Sequence, residues 1–248
     1  MASARYTVHI KPEDIQPDAP PPELTPKEKR ENFWFYHKWH VLGGAVAFAL
    51  LFSLVWEIAT QVKPDYTIGL LSSHGVPVGI GEVLGERLAP LFNDRNGDGR
   101  VVVTVMEYTV AHGEDLDRID PNIQMASMTK LMGDFDMGES ILFLTDDLEY
   151  FEEQYFLFAY NDGSVPEEGV PPDYSRMGVR WGDCPALTEL ELGSAEDFAG
   201  VSGIDYQTFL QNFRLVQRIL AGTQLENDPD ASAYYTDCAA KFEELTRR

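Results

Sequence analysis

The stretch Asp94-Arg95-Asn96-Gly97-Asp98-Gly99-Arg100 has the residue types and spacing of a cation-binding loop. It fits D-x-N-x-D-G. In calcium loops of that pattern, positions 1, 3 and 5 supply side-chain oxygens. Gly at position 6 allows the sharp turn, and position 7 lends its backbone carbonyl. The corresponding residues are Asp94, Asn96, Asp98, Gly99 and Arg100. Hard oxygen donors suit Ca²⁺. Such an ion would stiffen one turn, with the weak affinity of exported calcium modules, ~10⁻⁴–10⁻³ M. Two features depart from an EF-hand: position 12 is Val105 where a bidentate Glu belongs, and the residues beyond the loop read as a strand. A further carboxylate must come from elsewhere, and Glu107 is the candidate by proximity. The alternative is a metal-free Asn-Gly/Asp-Gly turn between a helix and a strand.

Other chemistry is sparse. His74 and His112 stand in Gly-containing loop stretches. Ser72-Ser73-His74-Gly75 lacks the G-x-S-x-G of a nucleophile elbow, and no H-E-x-x-H or C-x-x-C occurs. Asp134, Asp136 and Glu139 cluster, as do Asp146 and Asp147. Paired carboxylates can do acid–base work, but in a chain this acidic they read as solvated loop charge. No catalytic residue is assigned. Cys184 and Cys238 could close a loop of about 55 residues as a disulfide, or stay reduced and buried.

The net charge of −22 is unevenly placed. Residues 1–40 hold six Lys/Arg and six Asp/Glu, whereas residues 64–248 hold 12 Lys/Arg against 34 Asp/Glu. Such a surface repels nucleic acid and anionic lipid, attracts cations, and keeps the protein soluble.

These residues hang on Val41–Trp56, a run without a charged side chain. Its sixteen residues cover roughly 24 Å of helix, against a ~30 Å hydrocarbon core. Trp34, Tyr36 and Trp39 suit one interface, and Trp56 suits the other. Lys27, Lys29, Arg30 and Lys38 precede the run, while Lys63 and then Arg87 follow it. The positive-inside rule then puts the N-terminus in the cytoplasm and the C-terminal part outside a cell membrane. A cleaved signal peptide would need an n-region of about forty residues, too long for one. The expected organisation is a disordered, Pro-rich tail over 1–31, a transmembrane helix with aromatic flanks over 32–62, and an exported domain over 64–248. The lipid bilayer is the first partner.

In the exported part, apolar and amphipathic runs alternate. Tyr66–Ser72, Arg100–Tyr108 and Ile141–Thr145 read as strands. Residues 77–92, 123–135 and 147–159 read as helices, the second with Met125, Met128, Leu131 and Met132 on its apolar side. Met177–Trp181 reads as an edge strand. Residues 206–221 read as an amphipathic helix through Phe209, Phe213, Val216 and Leu220, and residues 230–247 as a last helix. The order predicts an α/β domain with a mostly parallel sheet and flanking helices.

The segments LAPLFND, VVVTVMEY, TKLMGDFDMGES, ILFLTDD and LEYFEEQY together resemble the first lobe of extracellular solute-binding proteins of ABC importers. PKEKRENFWFYHKWHVLGG, NDRNGDGRVVV and RWGDCP look like a family of single-pass, membrane-anchored Firmicutes proteins. The first resemblance implies a ligand-binding lobe. It covers about eighty residues, and 185 residues suffice for one lobe where those proteins have two. The lipidated Cys that usually anchors them is also missing. The expectation is a membrane-anchored binding or interaction module for an unknown protein or small molecule. The alternatives are an accessory subunit of a transport complex, or an envelope enzyme using Asp134, Asp146 or Asp147 at strand ends.

Overall fold

A computed structural model describes residues 25–60, 63–167, 169–198, 200–220 and 226–247. The Pro-rich segment ahead of Thr25 lies outside them. The chain divides into two compact units, Met1–Val62 and Lys63–Arg248.

Among the described residues of the first unit there is one helix, α1 (Pro26–Thr60). Thr25 starts it with a reciprocal cap. Its hydroxyl accepts from Glu28 N at 3.4 Å, and its own amide donates to Glu28 Oε2 at 2.8 Å. Pro26, which has no amide to satisfy, takes the first helical position. Over Pro26–Glu57 the helix is long and apolar enough to cross a membrane. Its large side chains are exposed, Phe48 at 70% and Leu50 at 66%. Apolar area of that extent is costly in water and neutral in lipid.

The second unit is built on five strands: β1 (Tyr66–Ser72), β2 (Val103–Thr109), β3 (Leu142–Thr145), β4 (Val179–Arg180) and β7 (Arg214–Gln217). Their order is β2-β1-β3-β7-β4. β1 pairs in parallel with β2 and β3, whereas β7 runs antiparallel between β3 and β4. The sheet is therefore mixed, where a mostly parallel one was expected. A hairpin of β5 (Asp197–Phe198) and β6 (Val201–Ser202) lies apart from it.

Side-chain alternation divides the core. Ile68, Leu70, Leu142, Leu144 and Leu215 face α2 (Ile80–Leu88) and α7 (Pro229–Thr246) in one buried cluster. Leu71, Phe143 and Val216 belong to a second, with Leu131 of α3 (Pro121–Met137) and Phe151 of α4 (Leu148–Tyr155). Period-two alternation in each strand sends neighbours to opposite faces. Both clusters lie wholly within the second unit.

Two expectations fail here. The apolar spacing over 206–221 is shared between α6 (Tyr206–Leu210) and strand β7. Leu215 and Val216 are both buried, one on each face, because β3 needs a partner on its open edge. Tertiary pairing overrides the helical period. On α3, only Leu131 of the four expected apolar positions is buried; Met125, Met128 and Met132 are exposed. Both cysteines are buried thiols in the first cluster, with Cys184 Sγ donating to Arg180 O at 3.3 Å, so the disulfide does not form. A short α5 (Pro185–Thr188) follows Cys184.

Close backbone approach sets two glycines. A Cβ on Gly69 of β1 would lie 2.2 Å from the Phe143 ring, and one on Gly85 of α2 would lie 2.5 Å from Val103 O. Ring and helix can sit this near only because those side chains are absent. Gly85→Ala should therefore destabilise by about 1–3 kcal/mol. Gly133→Ala on α3, where a Cβ meets nothing within 4 Å, should stabilise by about 0.5–1 kcal/mol. Urea denaturation of the two variants checks the opposite signs.

Candidate functional site

Parallel pairing brings the C-terminal ends of β1, β2 and β3 to one edge. β1 has β2 on one side and β3 on the other, so the chain reverses its winding there, which is where open α/β sheets take ligands. Ser72 ends β1, and Ser73 and His74 follow it; His112 follows β2; Asp146 and Asp147 follow β3. A 3-10 segment, Gly113–Arg118, adds Asp115.

Asp146 organises this edge. Its carboxylate accepts from Ser72 Oγ at 2.6 Å and from Ser73 N at 2.9 and 3.0 Å. His74 Nδ1 lies 2.7 Å from Ser73 Oγ and 3.3 Å from Asp146 Oδ2, and its Nε2 lies 3.1 Å from Asp115 Oδ2. Arg118 Nη1 holds Asp115 from outside at 2.7 Å. The imidazole thus bridges two acidic loops while its side chain stays 62% exposed. Nearby, His112 stacks on Tyr150 at 3.6 Å between centroids, with Nε2 3.1 Å from Asp147 Oδ2. That nitrogen is buried and lacks the alignment of a hydrogen bond. Asp147 also caps α4, accepting from Tyr150 N at 3.1 Å. A notch of about 140 Å³ opens beside these groups, between Asp146, Asp147, Asn212 and Arg214.

Ser73, His74 and Asp115 make a Ser-His-Asp relay by distance. Access argues against nucleophilic use: Ser73 is 1% exposed, and its amide is committed to Asp146. What the edge offers is a rim of carboxylates with two imidazoles, suited to a cation or a polar group bearing donors.

The sequence-predicted calcium residues lie at the other end of the sheet, about 20 Å away along seven-residue strands. There Asp94 accepts from Gly97 N at 2.7 Å and Gly99 N at 2.8 Å, Asn96 Oδ1 from Asp98 N at 2.8 Å, and Asp98 from Arg100 N at 2.8 Å. Side chains at positions 1, 3 and 5 thus fold the loop onto its own amides. No group of three or more His, Cys, Asp or Glu that could hold a metal occurs among the described residues. Glu107 does not complete the site. It sits up β2, opposite Leu70, and accepts from Gly81 N at 2.9 Å in the first turn of α2.

The loop is instead held by Asp65, which sequence reasoning missed. This buried carboxylate accepts from Arg95 N at 2.8 Å, Asn96 N at 3.0 Å and Val102 N at 2.9 Å. An Asp directly before an apolar strand was the available signal. Asp134 was also misjudged as loop charge. It is buried on α3, accepting from Tyr108 Oη at 2.5 Å and Ser140 N at 2.8 Å. Arg218, also buried, donates to the carbonyls of Asp134 at 3.2 Å and Phe135 at 2.8 Å, at the C-terminus of α3. Burial lowers the Arg218 pKa, and the Asp134 charge offsets part of that.

At Asp65, burial disfavours the charge, but the three amides and Arg95 outweigh it and hold the carboxyl below the usual Asp range. A depressed folded pKa gives stability that is complete above the unfolded value, about 3.9, and is lost as pH falls through the folded value. Asp65→Ala should cost about 2–3 kcal/mol at neutral pH and flatten that part of the acid limb. Urea midpoints measured from neutral pH downward read both effects.

Comparison of the chain with protein families, with curated proteins and with solved structures gives no match.

Proposed function

We propose that this chain is a single-pass, membrane-anchored binding module, its N-terminus cytoplasmic and its acidic unit, residues 63–248, outside the cell. The apolar α1 supports the anchor, and the basic residues before Val41 support the orientation. The observation that carries the binding reading is the convergence of Ser73, His74, Asp115 and Asp146 at the edge where the winding reverses. Its ligand is a small polar cation, drawn by the −22 charge and seated by exchanging the His74 contacts for its own donors. Protease added to intact cells should remove the C-terminal unit. In an NMR titration of the protein, 1,4-diaminobutane should shift the Ser73, His74 and Asp146 amides, with 1,4-butanediol inert. Asp115→Asn should weaken the effect about threefold to tenfold. A C-terminal unit protected from protease, or equal shifts from the diol, defeats the reading.

Two observations favour other activities. The 2.7 Å Ser73–His74 contact favours hydrolysis of an envelope substrate; labelling of Ser73 by a fluorophosphonate would move the assignment there. The exposed Ile123, Met125, Met128 and Met132 on α3 favour contact with another protein of a membrane complex.

For the loop at Asp94, Asn96, Asp98 and Arg100, the proposal is a weak structural Ca²⁺. Its turns are already set by side-chain bonds to amides, which leaves the remaining lone pairs for an ion. Millimolar Ca²⁺ should raise the melting temperature, and Asp94→Ala should abolish the rise. An unmoved melt refutes the metal.

A further inference from the structure

A cavity opens away from the strand edge, at the C-terminal end of α4. Its volume is about 770 Å³, within the range that holds drug-sized ligands. Phe156, Val165, Val170 and Ile219 form its apolar wall. Phe156 at 72%, Val165 at 52% and Val170 at 55% are exposed together along it. Pro166, Pro171 and Pro172 line the loop that closes it, and proline lowers the entropy that loop loses on holding one shape.

Phe156 is the second observation. It is the one non-glycine residue with positive φ, 50°, among the described residues. It takes the left-handed position that ends α4, where glycine is the usual choice, and its amide bonds back to Glu152 O at 2.8 Å. The two amides after it, Leu157 N and Phe158 N, donate to the buried Glu152 carboxylate at 2.9 and 2.8 Å. The chain therefore holds a strained Phe with its ring at the cavity, where a Gly would end the helix without strain. Strain kept at a cavity wall points to a ligand contact.

Charge is the third. Glu153 and Glu167 stand exposed on the lining, and no Lys, Arg or His is among the described lining residues. We infer that this cavity is a second binding site, for a small amphipathic cation whose apolar body packs on Phe156, Val165 and Val170 and whose ammonium group faces Glu153 and Glu167. It lies at the far end of α4 from Asp147, eight residues or about 12 Å away, and Tyr174 forms the wall between it and the notch at the strand edge.

The test uses the full chain in lipid nanodiscs, with empty nanodiscs subtracted. The probes are 4-phenylbutylamine, 4-phenylbutanol and 4-phenylbutanoate, which differ only in the head group. Calorimetry should rank amine over alcohol over carboxylate, with about tenfold between the ends, and methyl NMR should place the shifts at Val165, Val170 and Ile219. In the double variant Glu153→Gln/Glu167→Gln the amine should bind no better than the alcohol. Phe156→Gly should weaken all three while leaving the melting temperature level or higher, since Gly relieves the left-handed strain; a merely structural Phe156 would leave binding untouched. His74→Ala should change nothing here, which separates this site from the strand edge. Equal affinity for the three head groups, shifts at Ser73 and Asp146 in place of the methyls, or amine preference surviving the double variant would overturn the proposal.

Discussion

Everything in the second unit depends on β1 having a parallel partner on each side. Seven residues, Tyr66–Ser72, pair with β2 along their whole length, and four of them pair also with β3. A strand so placed must be apolar on both faces, and Ile68, Leu70 and Leu71 are 0–1% exposed. Because both neighbours run parallel, the ends of these three strands are sorted: the loops leaving β1, β2 and β3 lie at one edge and the loops entering them lie at the other. Ser73, His74, His112, Asp146 and Asp147 therefore share an edge, and Asp65 shares the opposite edge with the Asp94–Arg100 loop. Neither grouping follows from sequence distance.

A second constraint comes from the acid content. A chain with 41 Asp and Glu must place some of them inside, and here the buried or half-buried ones are used as backbone acceptors. Asp65 takes three amides, Glu152 takes two, Asp146 takes Ser73 N with the Ser72 hydroxyl, and Asp134 takes Ser140 N with Tyr108 Oη. Each ties a loop to the element beside it. An ionised carboxylate with two or three amide donors recovers much of its lost hydration. The same geometry satisfies loop amides that would otherwise be buried unpaired.

How far the sequence revealed this depends on the range of the force involved. The long apolar helix near the N-terminus and the strands at Tyr66 and Ile141 were legible, because composition and local spacing decide them. The 206–221 segment was not. Its helical period is real, yet β7 forms because β3, some seventy residues earlier, lacks a partner. The Met-rich side of α3 was read as core, since periodicity finds an apolar stripe and cannot tell whether anything covers it. Of the candidate sites, the Asp94 loop was visible as a motif. The strand edge was visible only as scattered Ser, His and Asp, which only the strand order assembles. Asp134 and Asp65 were hidden for the same reason, because a buried carboxylate is recognised by the amides that face it.

The end of α4 shows how such a carboxylate reaches function. The run Tyr150–Tyr160 is apolar and aromatic enough to continue as a helix past Tyr155. It stops because Glu152 folds its side chain forward onto the amides of Leu157 and Phe158, which an advancing helix would need for its own ladder. Phe156 is then forced into the left-handed region, and the chain turns so that Phe158 bridges Arg218 and Ala159 N donates to Gln217 O at 2.8 Å. Those contacts extend β7's pairing beyond β3, and they put the Phe156 ring outside the core, against the proline-bearing loop. One side chain thus ends a helix, extends a sheet edge and leaves the cavity open. A glycine at position 156 would serve the first two ends equally well, so only the cavity distinguishes the residue that is there.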